Sequence, residues 1–428
     1  MSVVISLLLL GLALLGTPLF IVIAASALLG FYSSDIDLSV VLIEFYRLAE
    51  MPILLAIPLF TLAGYLLSES KAPQRLVNLS NALLGWMPGG LAVVSLAICA
   101  IFTAFTGASG VTIIALGALL YPALTQAGYG QRFSLGLVTT SGSLGLLFAP
   151  SLPLILYGVI VQQLGVGSSL TVDDLFLAGA LPGLLMVLAL SAWSMWTNRG
   201  LSREQSDISI AAALRAAIWE LPLPFIVLGG IYSGYFAVSE AAAVTALYVL
   251  VVEVLIHREI KLGDLSRIIR ESMVLVGGIL IILGVSLAST NYLIDAEVPV
   301  RLFDIMHAYI QDPLFFLLLL NVFLLLLGMM LDIFSALVIM VPLLLPVALG
   351  YGIDPLHLGI IFLANMQLGY LTPPVGMNLF IASYRFKVPV MQIYRSTLPF
   401  FFILLLTVLV ITYWPGLSLY LPGLFATW

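Results

Sequence analysis

Long apolar runs separated by short polar connectors occupy almost the whole chain. In order they are 3–29, 51–68, 91–105, 111–125, 133–148, 151–164, 175–197, 217–234, 237–256, 273–290, 314–330, 334–350, 356–371, 375–384 and 397–420. The apolar stretches are long and unbroken rather than alternating like half-buried strands, and 274–288 and 314–331 hold no charged residue. Lipid offers backbone amides and carbonyls no water, so this pattern predicts helices, whose bonds are internal. Several runs fall short of the roughly 20 residues a helix needs to cross a bilayer. Short paired segments interrupted by Gly or Pro predict discontinuous helices, the places where membrane carriers build binding sites.

Composition supports the same solvent. Of 428 residues, 62% are hydrophobic and 8% charged, and the mean hydropathy is +1.20. Soluble domains carry about 25% charged residues. The net charge of −6 resides in connectors and leaves no footprint for nucleic acid. Cys99 is the single cysteine, which excludes an intramolecular disulfide and a cysteine metal site. His257, His307 and His357 match no zinc spacing, and no G-x-S-x-G, H-E-x-x-H or Walker sequence points to an enzyme. Transport without a nucleotide site would run on an ion gradient.

Basic residues gather at Lys71/Arg75, Arg199/Arg203/Arg215, Arg258/Lys261/Arg267/Arg270 and Arg385/Lys387/Arg395, the candidate cytoplasmic connectors. The stretch 257–271 reads either as an amphipathic connector helix at the interface or as a charged loop. The first run lacks a basic n-region and is longer than a signal peptide's apolar core, so it reads as a retained span. Glu240 reads as a helix N-terminal acid with Ser239 as cap. Tyr413, Trp414 and Trp428 read as interface anchors. The longest polar stretch, about 198–207, is too short for a soluble domain, so a solute-binding domain is expected on a separate chain.

Residues 107–158 and 331–382 resemble one another without gaps. Pro122 meets Pro346, Gly128 meets Gly352, Gly145 meets Gly369 and Pro150 meets Pro374, each pair separated by 224 (346−122, 352−128, 369−145, 374−150). Gly and Pro weigh most in this match because they set backbone breaks. Each copy has a tight turn, Gly107-Ala108-Ser109-Gly110 or the turn around Asp332, flanked by short apolar arms that suit a re-entrant hairpin. Each then has a span broken at 149–153 or 372–376. An odd number of crossings between the copies would invert one relative to the other.

Such breaks free carbonyls and amides at membrane depth. Carbonyls, hydroxyls and carboxylates there can replace the water around Na+, and half-helix N-termini suit an anion. The candidate Na+ donors are Ser109, Ser143 and the backbone near Gly107 and Gly145, then Asp332, Thr372 and the backbone near Gly369. The candidate substrate residues are Ser109, Thr112, Pro150, Ser151, Pro374, Gly376 and Asn378. Other readings stand beside these. Ser109 and Thr112 also suit close helix packing, Asp332 also suits a helix end at the interface, and Asn365 and Asn378 also suit packing.

The motifs AIPLFTLAGYLLSES (56–70), FTGASG (105–110), GLLFAPSLPLILYG (145–158), FLAGALPGLL (176–185), SEAAAV (239–244), GMMLDIFSALVIMVPLLLPVA (328–348) and GIDPLHLGIIFLANMQLGYLTPPVGMNLFIAS (352–383) resemble those of the large membrane subunit of TRAP (tripartite ATP-independent periplasmic) transporters. The resemblance covers nearly the whole chain. It implies an all-α integral membrane fold of the elevator type, with two re-entrant hairpins and two discontinuous helices, in a multi-pass protein of the bacterial inner membrane. It also implies a separate small four-helix membrane subunit, a periplasmic solute-binding protein, Na+ as coupling ion and organic acids as substrates. The expected division is 1–90 scaffold, 91–200 first transport repeat, 201–272 scaffold and connector, 273–396 second repeat and 397–428 C-terminal helix. Many relatives have a Ser-rich first tip and a Pro-Pro first break. Here the tip is Gly-Ala-Ser-Gly and the break is Ala149-Pro150, which leaves fewer hydroxyls at the first site. A stand-alone Na+/dicarboxylate symporter of similar hairpin architecture, and a structural subunit that translocates nothing, are the alternative readings.

Overall fold

A computed structural model describes residues 8–425 apart from 10, 14, 85–86, 88, 166–169 and 201–208. Trp428, Arg203 and the start of the first apolar run lie outside the described residues. The described chain is helical throughout. Its helices are α1 (Leu19–Ser33), α2 (Ser39–Arg47), α3 (Ala56–Glu69), α4 (Ala72–Leu84), α5 (Gly90–Thr106), α6 (Ser109–Gln126), α7 (Gln131–Ser141), α8 (Leu152–Gln163), α9 (Val172–Thr197), α10 (Ile210–Ala216), α11 (Pro222–Tyr232), α12 (Val238–Leu250), α13 (Leu262–Asp295), α14 (Val298–Tyr309), α15 (Pro313–Gly328), α16 (Ile333–Gly350), α17 (Pro355–Gly369), α18 (Met377–Phe386), α19 (Val390–Tyr413) and α20 (Gly416–Phe425). Among the described residues, eight segments are long and apolar enough to cross a membrane, or nine if α14 and α15, bent by 117°, form one span.

Both proline-bearing stretches interrupt their helices. After α7 ends at Ser141, a single turn at Leu144–Leu147 precedes α8. After α17 ends at Gly369, irregular backbone runs to Gly376 before α18. Each break carries a cis X-Pro peptide, Ala149–Pro150 and Pro373–Pro374. Helix limits keep the offset read from the sequence. α16 starts and ends 224 residues after α6 (333−109, 350−126), and α17 starts 224 after α7 (355−131).

Four expectations need correction. The stretch 257–271 is not a separate connector helix, because from Leu262 it forms the first turns of the 34-residue α13. No Gly or Pro lies between Gly263 and Gly277 to stop the helix, and Arg267 pairs with Glu271 one turn on and with Glu69 of α3. The first run does not continue through 29 as one helix, since a turn at Gly16 (φ +90) and Thr17-Pro18 precede α1. The C-terminal run is likewise split at Trp414-Pro415 between α19 and α20. At α12 the cap is not Ser239: Glu240 Oε2 accepts the Ala237 N–H at 2.9 Å.

Connectors assigned to one side of the membrane do meet. Arg75 of α4 reaches Glu220 (Nε to Oε1, 2.6 Å), Glu253 (3.1 Å) and Glu259 (2.6 Å), and the Lys71 N–H donates to Glu259. Because Glu253 is fully buried and Glu220 nearly so, Arg75 offsets a desolvation cost that neither carboxylate could bear alone. α3 packs along α12 and α13, while α19 lies on α7 and α16 on α8. At Gly64 the α3 backbone comes so near the first tip that a Cβ would sit 2.5 Å from Thr106 Cα.

Candidate substrate and ion site

Two residues, Gly107 and Ala108, join α5 to α6. Gly107 has φ +65, and a Cβ there would lie 2.4 Å from Leu152 at the start of α8, so both conformation and space require glycine. The second turn, between α15 and α16, ends at Asp332, the N-cap of α16. Asp332 Oδ1 accepts the Phe334 and Ser335 N–H groups at 3.0 Å each, and Oδ2 accepts the Ser335 hydroxyl. The remaining leading amide, Ile333 N–H, donates to the Tyr370 hydroxyl at 2.7 Å.

The two tips face one cavity of about 350 Å³. The first tip contributes Gly107 to Val111 and Ile114, and the second contributes Asp332, Ile333 and Phe334. Leu146 comes from the first break, while Tyr370 and Met377 flank the second; Tyr65 of α3, Leu275 of α13 and Ile381 of α18 complete the wall. Segments more than two hundred residues apart in sequence, which the repeat pairs only by analogy, thus share one space.

Of the residues singled out from the sequence, Gly107, Ser109 and Asp332 line this cavity. Ser109, the first residue of α6, is 3% exposed, and its hydroxyl has no partner within the protein. The others stand back from it. Thr112 is spent on packing, with its hydroxyl 2.7 Å from that of Thr103, which also donates to Gly142 O. The Ser143 hydroxyl meets Thr140 O at 3.4 Å, and the Ser151 hydroxyl meets Leu146 O at 2.6 Å. Gly145 and Gly369 are contact glycines: a Cβ would lie 2.2 Å from Ala100 O at the first and 2.6 Å from Gly328 Cα at the second. The Thr372 hydroxyl returns to Leu368 O, while Pro374 is exposed with its carbonyl accepting the Tyr394 hydroxyl. Pro150 is buried within the first break. Gly376, at φ +43, donates its N–H to Met329 O and so ties the second break to the second tip. Asn378 is fully buried, donates to Thr139 O at 3.4 Å across the two breaks, and leaves Oδ1 without a partner.

Sequence reading passed over Tyr370, Thr106 and Tyr65. Tyr370 looks like a core aromatic in an apolar run, yet it supplies the hydroxyl that completes the second tip. Thr106, fully buried beside Gly107, has a hydroxyl without a protein partner. Asn365, by contrast, belongs to a packing network: its amide donates to Asn321 Oδ1, which also accepts the Thr412 hydroxyl.

Residues 4–417 match the family model described as the tripartite ATP-independent periplasmic transporter, DctM component. The isethionate TRAP transporter permease protein DctMQ of Oleidesulfovibrio alaskensis is 35% identical over 386 residues, covering 89% of this chain and 60% of that protein. The C4-dicarboxylate TRAP transporter large permease protein DctM of Pseudomonas aeruginosa is 34% identical over 386 residues, covering 89% and 88%. In fold the chain resembles the YdaH transporter of Alcanivorax borkumensis, with a TM-score of 0.66 at 14% identity over 88% of this chain and 87% of that one. The TRAP relatives are permease subunits rather than enzymes, and with the family match over residues 4–417 they assign the chain to the DctM component family of TRAP transporters.

Proposed function

We propose that this chain is the translocating subunit of a Na+-coupled, binding-protein-dependent importer of organic acids in the bacterial inner membrane. Its transport domain comprises the two repeats, 91–200 and 273–396, related as inverted copies. They move as an elevator against a scaffold drawn from 1–90 and 201–272, with 397–428 as the C-terminal part. One observation supports this reading: both tips, the first break and the residues flanking the second contribute to a single cavity walled by the protein. The carboxylate of Asp332, which lines the cavity, is a suitable oxygen donor for Na+, and the buried Thr106 hydroxyl, which has no protein partner, is another. Uncovered half-helix amides suit the carboxylate of the substrate. The small four-helix membrane subunit and the periplasmic binding protein are expected as separate chains.

Uptake into proteoliposomes tests the proposal. It requires uptake only when the binding protein, the small subunit and an inward Na+ gradient are all present. Uptake by this chain alone would establish the stand-alone symporter instead, and no uptake under any condition would leave a structural role. Asp332→Asn is expected to insert normally and to need far more Na+ for half-maximal uptake; an unaltered Na+ dependence would remove Asp332 from the ion site.

A further inference from the structure

We infer that the cavity between the tips selects organic monoanions, molecules with one carboxylate or sulfonate and an uncharged remainder, over dicarboxylates. The inference rests on the import reading above and narrows its substrate class.

The first tip is open to an anion. Ala108 at the N-cap of α6 supplies no side-chain acceptor, and the N–H groups of Ser109, Gly110 and Val111 find none among the described residues. An 18-residue helix concentrates partial positive charge at that end. Ser109 adds a second, independent indication. The residue lines the cavity, and its hydroxyl, itself buried, has no protein partner, which leaves a donor beside the α6 amides without an acceptor in the protein. Leaving such a group buried and unbonded is unfavourable, and an anionic oxygen relieves it.

At the second tip the corresponding groups are already occupied. Asp332 takes the Phe334 and Ser335 amides, and Tyr370 takes that of Ile333. A second carboxylate placed there would meet no free amide and would face the Asp332 carboxylate in a desolvated space, where like charges repel strongly. No Arg, Lys or His is among the residues lining the cavity, and Leu146, Leu275, Phe334, Met377 and Ile381 supply much of its wall. A Na+ held at this end is balanced by Asp332 itself. The site therefore neutralises one anionic group and offers apolar contact to the rest.

The test is ligand-dependent melting of the permease with its small subunit in lipid nanodiscs containing Na+, at constant ionic strength. The monoanion probes are lactate, isethionate and 3-methyl-2-oxobutanoate; the dianion probes are succinate, malate and fumarate. The best monoanion is expected to half-saturate at a concentration about tenfold or more below that of the best dianion. Ser109→Ala is expected to weaken the best monoanion about tenfold while leaving unliganded melting in place. Asp332→Asn is expected to narrow the gap between the two classes. A dianion that binds as tightly as any monoanion, or a Ser109→Ala variant with unchanged monoanion affinity, would overturn the inference. If neither class shifts the melting in Na+, the organic-acid import reading itself fails.

Discussion

The two tips occupy corresponding places in helices that start 224 residues apart, yet they satisfy their backbone in opposite ways. At Asp332 a carboxylate and the Tyr370 hydroxyl consume the leading amides of α16, so the second tip is closed upon itself and anionic. At Gly107 and Ala108 no side chain caps α6, so the first tip is open and electropositive. What stands behind them differs too. The α3 backbone at Gly64 supports the first tip, whereas the Tyr370 side chain supports the second. A repeated backbone need not repeat its chemistry, because one aspartate in place of a small residue at the turn reverses the charge a helix end presents.

Substitutions that strike one tip at a time can break or sharpen this contrast. The largest effect is expected from Gly64→Ala, whose new methyl would meet Thr106 Cα at 2.5 Å and Phe105 O at 2.8 Å. Neither backbone atom can rotate away, so about 3 kcal/mol of stability and most uptake should be lost. Unchanged melting would mean that the first tip is not held against α3. Asp332→Ala removes the oxygen that accepts two amides and the partner of a hydroxyl, and should lower unfolding stability by about 2 kcal/mol. Tyr370→Phe keeps the ring and strands only the Ile333 amide, for about 1 kcal/mol. Ser109→Ala should shift melting by less than about 0.5 kcal/mol, since the hydroxyl has no protein partner to lose. Equal losses of stability at Ser109 and Asp332 would show that the first tip is closed as well, and the contrast would disappear.

Most of the architecture was legible from local features. Uninterrupted apolar runs require helices, and Pro150, Pro373 and Pro374 lack the N–H a helix uses, so both breaks appear where prolines and glycines cluster, although single prolines such as Pro122 and Pro346 are carried within helices. Asp332 was recognisable as an acid closing an apolar run. Less legible was the long α13, whose charged first turns look like a loop until Glu69 of α3 is set beside Arg267. The Arg75 cluster was hidden for the same reason, since its glutamates lie up to 184 positions away.

The sequence by itself determined that this chain is helical and lipid-bound, and that two of its spans are interrupted at the proline-bearing stretches. These follow from backbone geometry and apolar periodicity, which act over a few residues. Only the tertiary structure decided which hydroxyls remain free. Thr112, Ser143 and Ser151 bond to nearby protein oxygens, Asn378 reaches Thr139 across 239 positions, and the buried Ser109 hydroxyl is left without a protein partner. A buried polar group bonds to whatever packing brings within about 3 Å, and that neighbour is set by how distant helices meet.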